Sequence, residues 1–259
     1  MTEATVAASS SPETTELCCP IVDLRQYTLY PGTRDEFIDL FDREFVETQE
    51  AAGMRIIGQF RDMGDPNRFV WMRGFPDMPS RERALTSFYM HGEAWRRYAE
   101  LARSKMIDSS DALLLRPARP DSAFVLESPA HRPPIDSQLS PGLVVATIHH
   151  LSKPADSDFL EFFQASVVPL LIEAGGRVLG VFVTEHSPNN FPRLPLRERE
   201  SVFIPFLGFG SLAAYHHYMT RLGQNARWRS EVYPALIERL LTRPQVLRLA
   251  PTSRSQLRA

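Results

Sequence analysis

Residues 52–60 read AGMRIIGQF and residues 174–182 read AGGRVLGVF, identical at five of nine positions. A chain that states one phrase twice is constrained to fold two stretches alike. An offset of 122, the distance from residue 52 to residue 174, keeps the halves in register without a gap from Tyr27 to Phe60. Leu29 then meets Leu151, Phe37 meets Phe159, Phe41 meets Phe163, Gly53 meets Gly175 and Gly58 meets Gly180. Later landmarks recur with small insertions: Val70-Trp71 against Val202-Phe203, Tyr89-Met90 against Tyr218-Met219, and Trp95 against Trp228. The pattern reads as a duplication.

The two halves therefore share one set of expected elements. Residues 21–29, IVDLRQYTL, alternate and are rich in β-formers, which predicts a strand. Thr33-Arg34-Asp35-Glu36 has the form of a capping box, after which Phe37, Leu40, Phe41 and Phe45 make an apolar helical stripe. The stripe stops at Gly53, and its counterpart stops at Gly175-Gly176, natural positions for a helix C′ residue. Pro169 falls inside the second of these helices, where it is expected to kink it. The repeated phrase is the next strand and RFVWMRGF (68–75) the one after. A helix over about 80–106, broken near His91-Gly92, and a closing strand at 112–116 complete the half. The order β-α-β-β-α-β predicts an α+β fold of two tandem ferredoxin-like (split βαβ) repeats, packed sheet to sheet as an intrachain α/β-barrel.

Strand parity then sorts side chains. Val144, Ala146 and Ile148 form a uniformly apolar face, read here as packing on helices, so Thr147 and His149 turn the other way. By register Arg25, Tyr27, Trp71, Arg73 and Phe203 join them in the space between the sheets. On this reading Arg73 is matched in the second half by Pro205, and no acid on a neighbouring first-half strand faces it.

Composition limits the function classes. Lys and Arg total 29 against 31 Asp and Glu, which supplies no electrostatic case for nucleic acid or an anionic membrane. No apolar run reaches the roughly 20 residues needed to span a bilayer. Residues 1–20 are acidic, lack an apolar stretch and read as a disordered leader, consistent with a cytoplasmic protein. The two cysteines, Cys18 and Cys19, are adjacent and read as exposed reduced thiols. Residues 119–141 lie in a Pro-rich stretch and read as a linker between repeats at 21–118 and 142–251, with 252–259 as a tail.

The stretches LRQYTLYPG (24–32), FVWMRGFPDMPSRERALTSFYMHGEAW (69–95) and MIDSSDALLLRPA (106–118) resemble the NIPSNAP family. That resemblance covers residues 21–118; the second half, without an RERAL stretch, reads as a divergent copy. It implies a dimeric α/β-barrel (ferredoxin-like) fold, here completed within one chain, and brings no catalytic residues with it.

The chemistry must come from the residues themselves. Arg73, with Trp71, Arg25 and Tyr27, offers a planar fork for an anionic or carbonyl oxygen beside aromatic walls. The alternative is an arginine paired with an internal acid. His149 is a general base, a metal or haem ligand, or a satisfied structural residue; related barrels include haem enzymes. In the catalytic reading Arg73, His149 and Tyr27 react, while Trp71, Arg25, Phe203 and Thr147 bind the substrate. The Glu185-His186 segment leads into SPNNFPRLP, either a plain connection or a loop overhanging a cavity. No nucleotide loop, nucleophile elbow or metal motif occurs, so neither a tightly bound cofactor nor a metal is expected. The expected function is binding or transformation of a small, largely hydrophobic molecule bearing a polar oxygen, by proton transfer, dehydration, isomerisation or oxygenation. The alternative is a non-catalytic ligand-binding or assembly module, and a homodimer is compatible with either.

Overall fold

A computed structural model describes residues 16–135 and 137–259. Most of the acidic leader lies outside the described residues. The first half runs β2 (Ile21–Leu29), α1 (Arg34–Leu40), a π-helical turn (Phe41–Phe45), α2 (Val46–Ala51), β3 (Arg55–Asp62) and β4 (Arg68–Phe75). It continues through α3 (Met78–Thr86), a second π turn (Ser87–His91), α4 (Glu93–Ser104) and β5 (Met106–Pro117). The second half repeats the order: β7 (Leu143–Leu151), α5 (Ser157–Phe162), a π turn (Phe163–Val167), α6 (Val168–Ala174), β8 (Arg177–Thr184) and β9 (Ser201–Phe209). Then come α7 (Leu212–Gln224), a π turn (Trp228–Val232), α8 (Tyr233–Ile237) and β10 (Gln245–Pro251).

The eight long strands close into one barrel in the order β10-β3-β4-β2-β5-β8-β9-β7. The two four-stranded sheets are joined edge to edge by β5 on β8 and by β10 on β3. Closure removes the exposed edges that each sheet would otherwise present. The helices coat the outside. The offset of 122 is kept by β2 and β7, by β3 and β8, and by the π turns at 41–45 and 163–167.

Parity runs opposite to the sequence expectation. The barrel interior holds Val22, Leu24, Val70, Met72, Leu113 and Leu115 with Val144, Ala146, Ile148, Val202, Ile204 and Phe206. A closed barrel of this size is filled by side chains and holds no solvent, so its lining must be the uniformly apolar face of each strand. Arg25, Tyr27, Trp71, Arg73, Thr147, His149 and Phe203 consequently face the helices, and the inter-sheet site expected for them does not exist. Tyr27 and Trp71 pack with Phe37, Phe41 and Phe69, and Phe203 packs with Phe159 and Phe163.

Local signals mostly hold. Gly53 and Gly175 end their helices with φ of 97° and 109°, the left-handed conformation a side chain resists. Helix α3 ends in a π turn that stops at Gly92, as the break near His91-Gly92 predicts. The capping box does not form: the Thr33 hydroxyl donates to the Tyr30 carbonyl at 2.8 Å, and Glu36 pairs with Lys105. Pro169 falls where the helix changes form: it enters the first turn of α6 directly after the π turn, where the hydrogen-bond register is already shifted. Pro234 does the same at α8.

The Pro-rich stretch is structured. Its strand β6 (Phe124–Leu126) pairs with β1 (Glu16–Cys18), and Phe124 packs on Phe182 and Phe206 at 4.5 and 5.0 Å. Buried Arg132 donates to the Ile56 and Arg254 carbonyls at 2.7 and 2.9 Å. The C-terminal residues continue β10 along β3, the Leu257 amide donating to the Ile57 carbonyl at 2.8 Å. Cys18 and Cys19 are not exposed thiols; they are bonded to each other, with Cys18 buried. Among the described residues no helix is long and apolar enough to cross a membrane.

Candidate functional site

In the first half, the helix-facing side of the sheet carries a closed charged network. Asp23 on β2 stands opposite Arg73 on β4, and both are fully buried. Arg73 Nε donates to Asp23 Oδ2 at 3.0 Å, and Arg81 Nε, from α3, donates to Oδ1 at 3.1 Å. Arg73 Nη1 also donates to Gln49 Oε1 and the Tyr89 hydroxyl, each at 3.1 Å, while its guanidinium lies 4.9 Å from the Trp71 ring centroid. Arg25 donates to the Tyr27 hydroxyl at 3.3 Å and to the Ser109 carbonyl at 3.0 Å. Burial would raise the Asp23 carboxyl, yet Arg81, Arg73 and Arg25 around it hold it below the usual carboxylate range. Burial likewise opposes the charge on Arg73, but Tyr89, Asp23 and Tyr27 outweigh it and push its pKa up.

The long connection between β8 and β9 seals this network from the other half of the chain. Arg81 Nη1 donates to Asn190 Oδ1 at 2.7 Å, Asn190 Nδ2 donates to the Met78 carbonyl at 2.6 Å, and Phe191 packs near Tyr89. The segment after His186 is thus a cover laid on the first repeat.

The corresponding place in the second half is hollow. A cavity of about 340 Å³ lies between β7, β9 and the helices. Its floor is Val145, Thr147, His149, Pro205 and Leu207; its walls include Phe163, Leu171, Tyr215, Tyr218, Trp228 and Tyr233. Two of its walls are π turns, a helix form that recurs at functional sites. Met219, Tyr233 and Val246 line the cavity and are about half exposed, at 50%, 45% and 48%, which puts its mouth at the surface. A predominantly apolar cleft with few polar groups suits a small-molecule ligand.

Strand pairing shows how one place became two. Leu24 pairs with Met72 and Ala146 pairs with Phe206, so Met72 and Phe206 are equivalent. The bulges fall alike, between Ile56 and Gly58 in β3 and between Val178 and Gly180 in β8. Arg73 therefore corresponds to Leu207 and Trp71 to Pro205, a correction of two residues to the sequence register. Asp23, Arg25, Tyr27, Trp71 and Arg73 become Val145, Thr147, His149, Pro205 and Leu207. Five side chains that fill the first half are shortened or neutralised in the second, and all five replacements line the cavity.

Within the cavity His149 is the titratable group on the floor. Its Nδ1 lies 3.3 Å from the Phe203 carbonyl. A carbonyl only accepts, so the hydrogen bond assigns the proton to Nδ1 and leaves a lone pair on Nε2. Burial lowers the His149 pKa to about 4, against the smaller opposing effect of its hydrogen bonds to backbone carbonyls, so the ring is neutral near pH 7. Burial also raises the Tyr218 hydroxyl, which stays protonated and able to donate.

The seven residues singled out from the sequence thus fall in separate places. Arg25, Tyr27, Trp71 and Arg73 share the first-half network; Thr147 and His149 share the cavity; Phe203 packs behind it as the acceptor for His149. The acid held to be absent is Asp23, on the same face of β2 as Arg25 and Tyr27. The aromatic wall from α7 and α8 has a signal in the sequence too: Tyr215, Tyr218 and Leu222 are spaced as one helical face. Among the described residues no group of three or more His, Cys, Asp or Glu could hold a metal ion.

Residues 22–120 match the NIPSNAP protein family. An anthrone oxidase-like protein of known structure is 14% identical, with a TM-score of 0.57 over 92% of this chain and 95% of its own. A proposed monooxygenase from Fusobacterium nucleatum is 10% identical, with a TM-score of 0.56 over 90% of this chain and 92% of its own. A NIPSNAP-like domain protein from Burkholderia xenovorans is 25% identical over 41% of this chain and 91% of its own, with a TM-score of 0.36. The two full-length likenesses establish the fold. No curated protein matches the chain.

Proposed function

We propose, from a chain whose residues 22–120 form a NIPSNAP domain, that the second-half cavity binds a small, largely hydrophobic ring system bearing a hydroxyl or carbonyl oxygen. The observation that carries this reading is the substitution of the filled first-half network by an aromatic-walled cavity with a neutral histidine on its floor. Aromatic walls take the flat apolar body of such a molecule. The Thr147 and Tyr218 hydroxyls are the groups suited to hold its oxygen. His149 Nε2 is suited to accept a proton from an activated hydroxyl or from a carbon next to a carbonyl. That single step opens isomerisation, dehydration and oxygenation alike, and the solved likenesses to an anthrone oxidase-like protein and a proposed monooxygenase favour oxygenation among them. Arg25, Tyr27, Trp71 and Arg73 then serve the first repeat as its charged core, with catalysis confined to the second.

The test is oxygen uptake and absorbance with anthrone as substrate, comparing the wild type with His149→Gln, which keeps a hydrogen-bonding side chain and removes the base. Turnover by the wild type and its loss in the variant, with binding retained, is expected. Equal turnover by both proteins removes His149 from the chemistry. A second reading, a non-catalytic carrier, is favoured by one observation: a histidine held near pKa 4 is a weak base at neutral pH. Saturable binding of anthrone without turnover in either protein would select it.

A further inference from the structure

The chain contains two cysteines, side by side, and they are bonded to each other. Two features of the surrounding backbone are shaped to them. Cys19 has φ of 76°, the single non-glycine residue with positive φ among the described residues. Its side chain occupies a notch in β4: a Cβ added at Gly74 would stand 2.2 Å from Cys19 Sγ and 2.4 Å from its Cβ. The notch admits the Cys19 side chain in either redox state, whereas the positive φ is a conformation that two independent thiols would not need. L-residues avoid the left-handed region unless something holds them there.

The pair also sits where a change would be felt. Cys18 ends β1, which pairs with β6 through Glu16, Leu17 and Cys18. Cys18, Phe124 and Leu126 belong to the barrel's own core cluster, so the β1–β6 ribbon caps one end of the barrel. One residue beyond Cys19, Pro20 leads into β2, whose Ile21 pairs with Phe75 and Asp23 with Arg73. Cys19 is half-buried and lines a surface pocket of about 540 Å³ together with Pro20, Met54, Gly74 and Pro129. Cys18 lines the same pocket, so the disulfide borders a cleft large enough for a small thiol.

We infer that Cys18–Cys19 is a thiol–disulfide exchange site whose reduction by a dithiol loosens the β1–β6 ribbon over the end of the barrel. A thiolate of the dithiol attacks Sγ of Cys19, the less buried of the two cysteines, forming a mixed disulfide and expelling the Cys18 thiolate, which takes a proton. The second thiol of the reductant then attacks its own sulfur in the mixed disulfide and releases Cys19. The dithiol leaves as a disulfide, and its two hydrogens end on Cys18 and Cys19. With the small ring opened, Cys19 is free to leave the left-handed region, and the turn that holds β1 against β6 is no longer enforced. The reverse exchange with a disulfide restores the cap.

Hydrogen exchange read by mass spectrometry tests this on the full chain. Protein equilibrated with oxidised dithiothreitol, then unfolded with iodoacetamide present, is expected to take up no label on cysteine. After treatment with reduced dithiothreitol both cysteines take the label. On reduction, amides of residues 16–18 and 124–126 are expected to exchange about tenfold faster while the barrel strands are unchanged. The double variant Cys18→Ser/Cys19→Ser should exchange fast at these segments with or without dithiothreitol. The inference fails if the oxidised sample is still labelled, if the ribbon exchanges equally in both redox states, or if the double variant is as protected as the oxidised wild type.

Discussion

Asp23→Asn isolates the charged network of the first repeat. The carboxylate is fully buried and receives Arg73 at 3.0 Å and Arg81 at 3.1 Å, one on each oxygen. Asparagine keeps the shape and one acceptor but removes the anion that Arg73 and Arg81 share. Breaking a buried ion pair by removing one partner costs about 3–5 kcal/mol, because the remaining charge is left uncompensated. Native stabilities lie near 5–15 kcal/mol, so this loss is a large share of the whole. A loss of that size in a chain this long lowers the melting temperature by roughly 10 °C. The pH dependence has a definite sign. The folded pKa of Asp23 is depressed, so its contribution is complete above the unfolded value of about 3.9 and is lost as pH falls through the folded value. The penalty should therefore be constant from pH 5 to 8. Urea unfolding followed by tryptophan fluorescence measures it through the midpoint. A destabilisation below about 1 kcal/mol at neutral pH would refute the view that this network is integral to the first repeat.

Three further outcomes follow from the cavity and its frame. His149 has a pKa lowered to about 4 against an unfolded value near 6.5, so it favours folding above 6.5 and that contribution, roughly 3 kcal/mol, is lost as pH falls from 6.5 to 4. Urea titrations of His149→Gln should show that part of the acid destabilisation removed. Val145→Phe places a ring on the cavity floor and should abolish binding of anthrone by isothermal titration calorimetry, with the melting temperature changed by only a few degrees. Gly175→Ala, at φ 109°, should cost about 1 kcal/mol in urea unfolding through backbone strain alone.

How much of this is legible in the sequence depends on the range of the interactions. The first strand, first helix and repeated phrase of each half are local patterns, and the offset of 122 survives in the structure to the residue in the strands and to within one residue at the start of the helix. The face of each strand is not decided by its own residues, because Val144, Ala146 and Ile148 suit a helix layer or a barrel interior equally; the structure puts them in the interior, opposite to the sequence expectation. Only closure of the barrel, a non-local event, decides between them. Asp23 lies in the same strand as Arg25 and Tyr27, and its period-two spacing already put it on Arg73's face. The two-residue slip between β4 and β9 arose because the β8–β9 connection is far longer than the hairpin between β3 and β4. The repeated Gly-Phe at 74–75 and 208–209 carries the correct register. That the longer connection would cover the opposite repeat, through Asn189, Asn190 and Phe191, has no local signal.

In the proposed function, the place filled by charge in the first repeat is the open binding site of the second. Photo-crosslinking with benzophenone, an apolar aromatic ketone that inserts into neighbouring C–H bonds, tests it directly on the native chain. Peptide mapping should find the adducts on residues lining the second-half cavity, within 163–171 and 215–236, suppressed by excess anthrone and absent in Val145→Phe. Adducts concentrated instead on residues 37–45 and 88–95, around the Arg73 network, or spread evenly over the surface, would contradict it.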